Sequence, residues 1–290
     1  MKIYFAGMET SYGYNYVDFL PTDNVFCTYF YKRNTEKYLL DHNISNRTGI
    51  ITIDSGAHSF FSFIGLSVSA DKTLSKGEMP DPEEYFINYV TWIKQWYSYA
   101  DYFVELDLQD IVGQKRVEEW RDIYKKEGIY DKIITVHHSM NTDEDWDKMI
   151  RESESRYIAL EGLRGGKVNL PYMKLIKSCY DNKVKVHGFA LTNQSIIAKY
   201  PFYSVDSSSW TAVNRYGIIY KFDNGRMKQY KTCEKHFLEN NIDMRLMSNN
   251  REKSDQHFKL QEAQKEFRKM EDFYSDLWKK RGVDWEKQLS

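Results

Sequence analysis

The chain has 290 residues, 41% hydrophobic, 29% charged and 16% aromatic, with 23 tyrosines and a formal net charge of -1. That length holds one α/β barrel with a full core that needs neither disulfides nor metals, and the composition is that of a packed globular protein. Cys27, Cys179 and Cys233 are odd in number, widely spaced and without a C-x-x-C pair. A disulfide framework and a cysteine zinc site are thereby excluded, and a reducing cytoplasm fits. The N-terminal stretch MKIYFAGMETSYGYNY is broken by Glu9 too early for a signal peptide, and no apolar run reaches the length of a membrane span. A soluble cytoplasmic protein with no membrane partner is expected. A net charge near zero counts mildly against a nucleic-acid partner. Charge can be segregated, however: the loop KTLSKGE with Arg164, Lys167, Arg215, Arg226, Lys228 and Lys231 offers either a basic rim or scattered solvated side chains.

In chain order, short β-branched or aromatic runs recur, each followed by a polar or glycine stop and then an amphipathic stretch. The first runs are KIYFAG at 2, VFCTYFY at 25 and GIITIDSG at 49. A helix follows from Pro82 to about Tyr99: Asp81 supplies its N-cap, Pro82 its first turn, and Phe86, Val90, Ile93 and Tyr97 its apolar face. DYFVELDLQD at 101 precedes a helix from Val117, and KIITVHH at 132 precedes one from Thr142. RYIALEG at 156 leads to a helix beginning near Asn169, and KVKVHGF at 183 to NQSIIAKY at 193. FYSVDSS at 202 is the eighth strand candidate, the number a closed parallel barrel needs. Strands alternating with helices predict an α/β fold of the (β/α)8 TIM-barrel class over 1–222. After about Asp223 the pattern changes, and 223–290 reads as a C-terminal helical extension with one long charged helix from Ser254 to Arg281. Its apolar positions, among them Leu260, Phe267, Met270 and Tyr274, are best explained by packing on the barrel.

Barrel enzymes work where strands end, because the loops at the carboxyl face converge on one pocket. The strand ends here are unusually polar: Asp54, Glu105 and Asp107, His137 and His138, Glu161-Gly162, His187-Gly188 and Asp206. One strand-end Asp is also what a turn or helix cap requires, but six successive polar strand ends call for a site. Two carboxylates from different strands facing one cleft suit displacement at a sugar carbon, one attacking the anomeric carbon and the other managing the leaving group's proton. Which carboxylate takes which role stays open at this level. A barrel metallohydrolase is the rival reading. It is disfavoured because adjacent His137 and His138 on a strand point to opposite faces, and because the first strand lacks an H-x-H pair.

IDSGAHSF at 53, ELDLQD at 105, VHHS at 136, IALEGLRGG at 158, HGFALTN at 187 and YPFYSVDSSSW at 200 together carry a likeness to a known family. In that order they resemble the signature segments of the tRNA-guanine transglycosylase superfamily, and most closely its short, mostly phage-encoded DNA branch of the deoxypurine-in-DNA protein A type. The resemblance covers roughly Met1 to Phe222. It implies a cofactor-independent pentosyltransferase that removes guanine from DNA and inserts a free 7-deazaguanine base, preQ0 or a derivative. Asp206 looks like the nucleophile of a covalent glycosyl-enzyme, Asp54 like the general acid/base, and Asp107 like the carboxylate that reads the guanine edge. His138, Gly162, His187 and Gly188, with Ser55, Gly56 and His58 of the DSGAH turn and Ser207 and Trp210 of SVDSSSW, are the further binding residues it suggests. Phe60, Phe61 and Phe63 are candidates for stacking on a base taken out of the duplex.

Two departures bear on the substrate. Relatives acting on tRNA hold a zinc with three cysteines and a histidine near the C-terminus, whereas only Cys233 and His236 stand there, so no metal is expected and DNA is favoured over tRNA. Glu161 stands where the family has glycine, adding a carboxylate near the incoming base. A tRNA-type exchange, an N-glycosidic hydrolase using the same two carboxylates, and a binding subunit that has kept the fold are the other readings.

Overall fold

The computed structural model describes residues 1–10, 23–41, 47–58, 80–163, 167–231, 238–240, 242–247 and 253–290. Eight parallel strands close into a barrel: β1 Lys2–Ala6, β2 Asn24–Thr28, β3 Ile51–Asp54, β4 Tyr102–Val104, β5 Ile133–His137, β6 Tyr157–Leu160, β7 Lys185–Gly188 and β8 Ser204–Ser207. Pairing of β1 with β8, Tyr4 opposite Asp206, shuts the cylinder. This is the (β/α)8 architecture the sequence predicts. Ten α-helices occur among the described residues: α1 Lys32–Asp41, α2 Pro82–Trp96, α3 Gln109–Val112, α4 Gln114–Lys126, α5 Asp143–Glu152, α6 Tyr172–Asp181, α7 Gln194–Ile197, α8 Ala212–Tyr216, α9 Lys253–Lys280 and α10 Trp285–Leu289.

Local chemistry sets the helix starts. Asp81 accepts from the Glu83 amide at 3.0 Å to begin α2, and Thr142 and Asp145 form a reciprocal capping box on α5. The aromatic run at 25–31 was expected to be strand throughout, but β2 stops at Thr28. There the Thr28 hydroxyl accepts from the Phe30 amide at 3.2 Å, turning the chain into a short 3-10 segment, Tyr29–Tyr31, that leads into α1. A hairpin of β9 Ile218–Asp223 and β10 Arg226–Lys231 was also not anticipated, and the change of pattern read after about Asp223 falls at its tip. Asn224 and Gly225 both have positive φ, 48° and 79°, as a tight Asn-Gly hairpin turn requires.

The long helix α9 is seated against the barrel. Glu271 accepts from the Ile3 amide at 2.7 Å, Arg268 forks onto buried Asp23, and Trp278 donates to the Ile197 carbonyl at 2.8 Å. Leu260, Phe267, Met270 and Tyr274 are buried against the core, so α9 covers β1 as a layer of the barrel wall. No helix among the described residues is long and apolar enough to cross a membrane.

Alternation along the strands sorts polar strand-end residues by face. Glu105 points outward: both its oxygens meet the Arg121 guanidinium of α4 at 2.7 Å, and Oε1 also accepts from the Val136 amide at 2.6 Å. It therefore ties α4 to β5 and is not part of a pocket, contrary to its place among the strand-end candidates. Glu105→Gln keeps one acceptor for Val136 but removes the charge opposite half-buried Arg121. A loss of about 2 kcal/mol is expected, read as a Tm lower by several degrees.

Candidate functional site

At the carboxyl face the strand ends enclose a cavity of about 490 Å³. Asp54, Asp107, His138, Glu161 and Asp206 converge on it, with exposed His58 at its rim and Phe26, Ala57, Leu163 and Phe189 as apolar wall. Hollows of similar volume lie between α2 and α4 and beside α9 at the opposite end of the barrel, and no strand-end carboxylates converge on them.

Asp54 ends β3 and keeps a narrow opening to the cavity while protein surrounds it on its other sides. Burial, reinforced by the charges of Asp107 and Asp206, pushes its pKa up to about 7, against the opposing pull of the Gly56 amide and the Thr28 hydroxyl. The Gly56 amide donates to Asp54 Oδ2 at 3.1 Å from a backbone φ of +86°, and a Cβ at that position meets Phe30 Cβ and the Tyr85 hydroxyl at 2.8 Å. Only glycine serves there. Gly56 thus aims the carboxylate.

Asp206, on β8 and 8% exposed, is held by one oxygen. Its Oδ1 accepts from the Ala190 amide at 2.7 Å and lies 3.2 Å from His187 Nε2. Ala190 presents that amide from a left-handed backbone, φ 52°, which is costly for a residue with a Cβ and is a form of strain that gathers at working sites.

Opposite them stands a charge cluster. His138 Nδ1 lies 3.2 Å from Glu161 Oε2, and Nε2 lies 3.4 Å from Asp107 Oδ2. Burial disfavours the imidazolium, but the two carboxylates outweigh it and push the His138 pKa up to about 9, so the ring is cationic at neutral pH. Glu161 Oε1 also accepts from the Ser139 amide at 2.9 Å. The Glu161 side chain therefore lies in the cavity wall with its oxygens engaged by His138 and the Ser139 amide. Gly162 permits a close backbone approach, since a Cβ there would meet the Phe189 carbonyl oxygen at 2.6 Å.

Several expected site residues sit elsewhere. His137 turns outward onto Trp146 of α5, with ring centroids 4.9 Å apart, and burial lowers its pKa to about 4; one histidine of the pair enters the pocket, as alternation demands. His187 lies beneath Asp206 and does not line the cavity. Gly188 faces outward, where a Cβ would meet Leu191 and Phe202 at 2.9 Å. Trp210 is fully buried, donates to the Ala6 carbonyl at 2.9 Å and packs edge-on to Phe5, so it holds β1 to the loop after β8. Ser207 accepts from the Ser209 amide at 3.1 Å, and the buried Ser55 carbonyl accepts from the Tyr85 hydroxyl at 2.8 Å; both shape turns without lining the cavity. Phe60, Phe61, Phe63, the loop KTLSKGE, Arg164, Cys233 and His236 lie outside the described residues. Of the proposed basic rim, Lys167, Arg215, Arg226 and Lys231 are exposed, and Lys228 pairs with Asp223 at 2.9 Å.

Sequence reasoning missed Glu9, read there only as a break in an apolar run. It is 4% exposed just past β1, its Oε2 lacks a hydrogen-bond partner among the described residues, and burial together with the Asp54 charge pushes its pKa up to about 7. Phe26 and Phe189 were missed because aromatic residues at strand ends look like ordinary core. No group of three or more His, Cys, Asp or Glu among the described residues is arranged to hold a metal ion. Fold and site together define a (β/α)8 barrel with a carboxylate-rich pocket at its carboxyl face. Comparison of the chain with protein-family models, curated proteins and solved structures finds no significant match.

Proposed function

We propose that the chain is a DNA-guanine transglycosylase, exchanging guanine in DNA for a free 7-deazaguanine base through a covalent glycosyl-aspartyl intermediate. The observation that carries this reading is the pairing of Asp54 and Asp206 across one cavity with unlike environments. Asp54, with a pKa of about 7, is available as acid and as base near neutrality, while Asp206 has one oxygen fixed by a backbone donor. The six family-like segments support the choice of substrate, since Asp54, Asp107, His138, Glu161-Gly162 and Asp206 all come from them and all meet at the cavity.

In the first half-reaction Asp206 attacks C1′ of a deoxyguanosine, the C1′–N9 bond breaks, and protonated Asp54 gives its proton to the departing guanine. In the second, Asp54 takes the N9 proton of the incoming 7-deazaguanine, N9 attacks C1′, and the aspartyl ester bond breaks. Asp107 accepts the N–H donors of the purine edge, a task for an ionised carboxylate that the His138 cation supports. A base inside a duplex must be flipped out, at about a few kcal/mol, or be met in single-stranded DNA.

The test is intact-mass analysis under denaturing conditions after mixing the enzyme with guanine-containing single-stranded DNA. A DNA adduct on the wild type that is absent from Asp206→Asn supports the reading; guanine release with no adduct replaces it with direct hydrolysis. Gly162→Ala probes the pocket wall. Its Cβ must displace the Phe189 carbonyl, so a rise of about tenfold or more in KM for the incoming base is expected, with kcat less affected.

A further inference from the structure

His187 was expected in the base pocket and is instead 1% exposed under the floor, in an aromatic box. Its ring stacks on Phe26 of β2 at 5.4 Å and 3°, stands edge-on to Phe189 at 5.1 Å, and is flanked by Tyr4 of β1 at 5.6 Å and Tyr157 of β6 at 6.4 Å. Nε2 faces Asp206 Oδ1 at 3.2 Å and Nδ1 faces Ser204 Oγ at 2.7 Å. The Ser204 hydroxyl is in turn hydrogen-bonded to Tyr157, whose oxygen lies 3.2 Å from that of Tyr4. Burial holds both tyrosines well above the usual phenol pKa, so the hydroxyls remain neutral. The one other charged group nearby on β7 is Lys185, whose ammonium is engaged by the Tyr102 hydroxyl at 2.7 Å and lies over the rings of Tyr102, Tyr157 and Tyr203.

A carboxylate only accepts, so the nitrogen facing Asp206 carries the proton. A neutral His187 is then the Nε2–H tautomer, and its Nδ1 accepts from the Ser204 hydroxyl. This buried chain selects one tautomer, as an orienting partner does for other working histidines. Two N–H donors, from Ala190 and His187, then occupy Oδ1. Among the described residues Oδ2 has no hydrogen-bond donor.

We propose that His187, fixed by Ser204, Tyr157 and Tyr4, is the positioning residue of the nucleophile: it pins Asp206 Oδ1 so that Oδ2 faces the cavity as the attacking atom. This rests on the transglycosylase reading for its kinetics but not for its geometry. In the ester intermediate Oδ1 is the carbonyl oxygen, and the same two donors stabilise the carboxylate as it leaves in the second half-reaction.

The test uses the full chain with His187→Phe, His187→Gln and Ser204→Ala. For His187→Phe, kcat is expected to fall about 10- to 100-fold with KM for single-stranded DNA within about twofold, as for loss of a hydrogen bond to a charged group. His187→Gln, which retains N–H donors, is expected to recover most of the rate. Nitrogen-15 NMR of the free wild-type protein should show Nε2–H at His187, and Ser204→Ala, which leaves the ring without its second partner, should lower kcat. A His187→Phe rate within about threefold of wild type overturns the proposal, as does an Nδ1–H tautomer. If His187→Phe fails to fold, Ser204→Ala decides: an unchanged rate overturns the proposal. The NMR reading needs no turnover, so a wild type that forms no adduct refutes the proposed function while the tautomer still tests the positioning.

Discussion

Asp206→Asn is expected to lower base exchange by about 10⁴-fold or more, and Asp54→Asn by about 10³-fold or more, while Asp54→Asn becomes more stable than the wild type above pH 7. The kinetic effects follow from the proposed roles: an amide is a poor nucleophile and neither gives nor takes a proton at neutral pH. The stability effect has its own cause. The Asp54 pKa rises from 3.8 in the unfolded chain to about 7 in the folded protein, so between those values the folded state binds a proton that the unfolded state has released. Stability is therefore full below pH 3.8 and is lost as pH rises through about 7. A shift of about three units corresponds to roughly 4 kcal/mol, which solvent reaching the carboxylate through the cavity reduces to about 2 kcal/mol. Glu9 and Glu271, both also near 7, titrate in the same window, so the wild type alone does not isolate Asp54. The difference between Asp54→Asn and wild type does. Denaturant unfolding at pH 5 and pH 8 should show the mutant gaining stability relative to wild type at the higher pH, and an equal difference at both would refute the buried-acid assignment.

The barrel was legible because its eight strands each carry a β-branched run and a polar stop, and because Asp81, Thr142 and Asn193 are strong helix caps. Misreadings arose where one short-range signal overrode another. The Thr28 hydroxyl bends an aromatic stretch that has strand composition, and the hairpin at 218–231 announces itself only through Asp223-Asn224-Gly225, in a segment where the helical pattern drew attention. At the site, alternation foretold that one histidine of the His137–His138 pair enters the pocket, and the same rule applied to β7 sends Gly188 outward from His187. Glu105 and Asp107 share parity yet face opposite ways because β4 ends at Val104 and the chain beyond it no longer alternates. His187 shares the inward face with Asp206 yet lies one layer deeper, and depth along a barrel axis depends on register between strands, Tyr4 opposite Asp206 and His187 opposite Ser204. That register is set by closure of the whole sheet and cannot be read from one strand. Glu9 escaped, and the part that Glu161 plays was not visible, for a related reason: a carboxylate's role is set by what faces it across the pocket, Asp54 for the first and the His138 ring for the second.

His138→Phe should destabilise the protein by about 3 kcal/mol at pH 7 and by much less above pH 9. The imidazole is held between Glu161 and Asp107 at 3.2 and 3.4 Å, and its pKa rises from 6.5 to about 9 on folding. Between those values the folded state keeps a proton that the unfolded state loses. The stabilisation is thus fully present below pH 6.5 and disappears as pH rises through about 9. Phenylalanine retains the ring volume but removes the cation, leaving buried Glu161 and half-buried Asp107 without the counter-charge between them. That change also reaches the chemistry: an Asp107 that has lost the cation steadying it is a poorer partner for both donors of a guanine edge, so KM for the base is expected to rise about tenfold or more. Unfolding measured at pH 7 and pH 9.5, alongside exchange kinetics at pH 7, checks both effects. A stability loss of the same size at both pH values would mean that His138 contributes packing alone, and an unchanged KM would mean that Asp107 reads the base without needing the cation beside it.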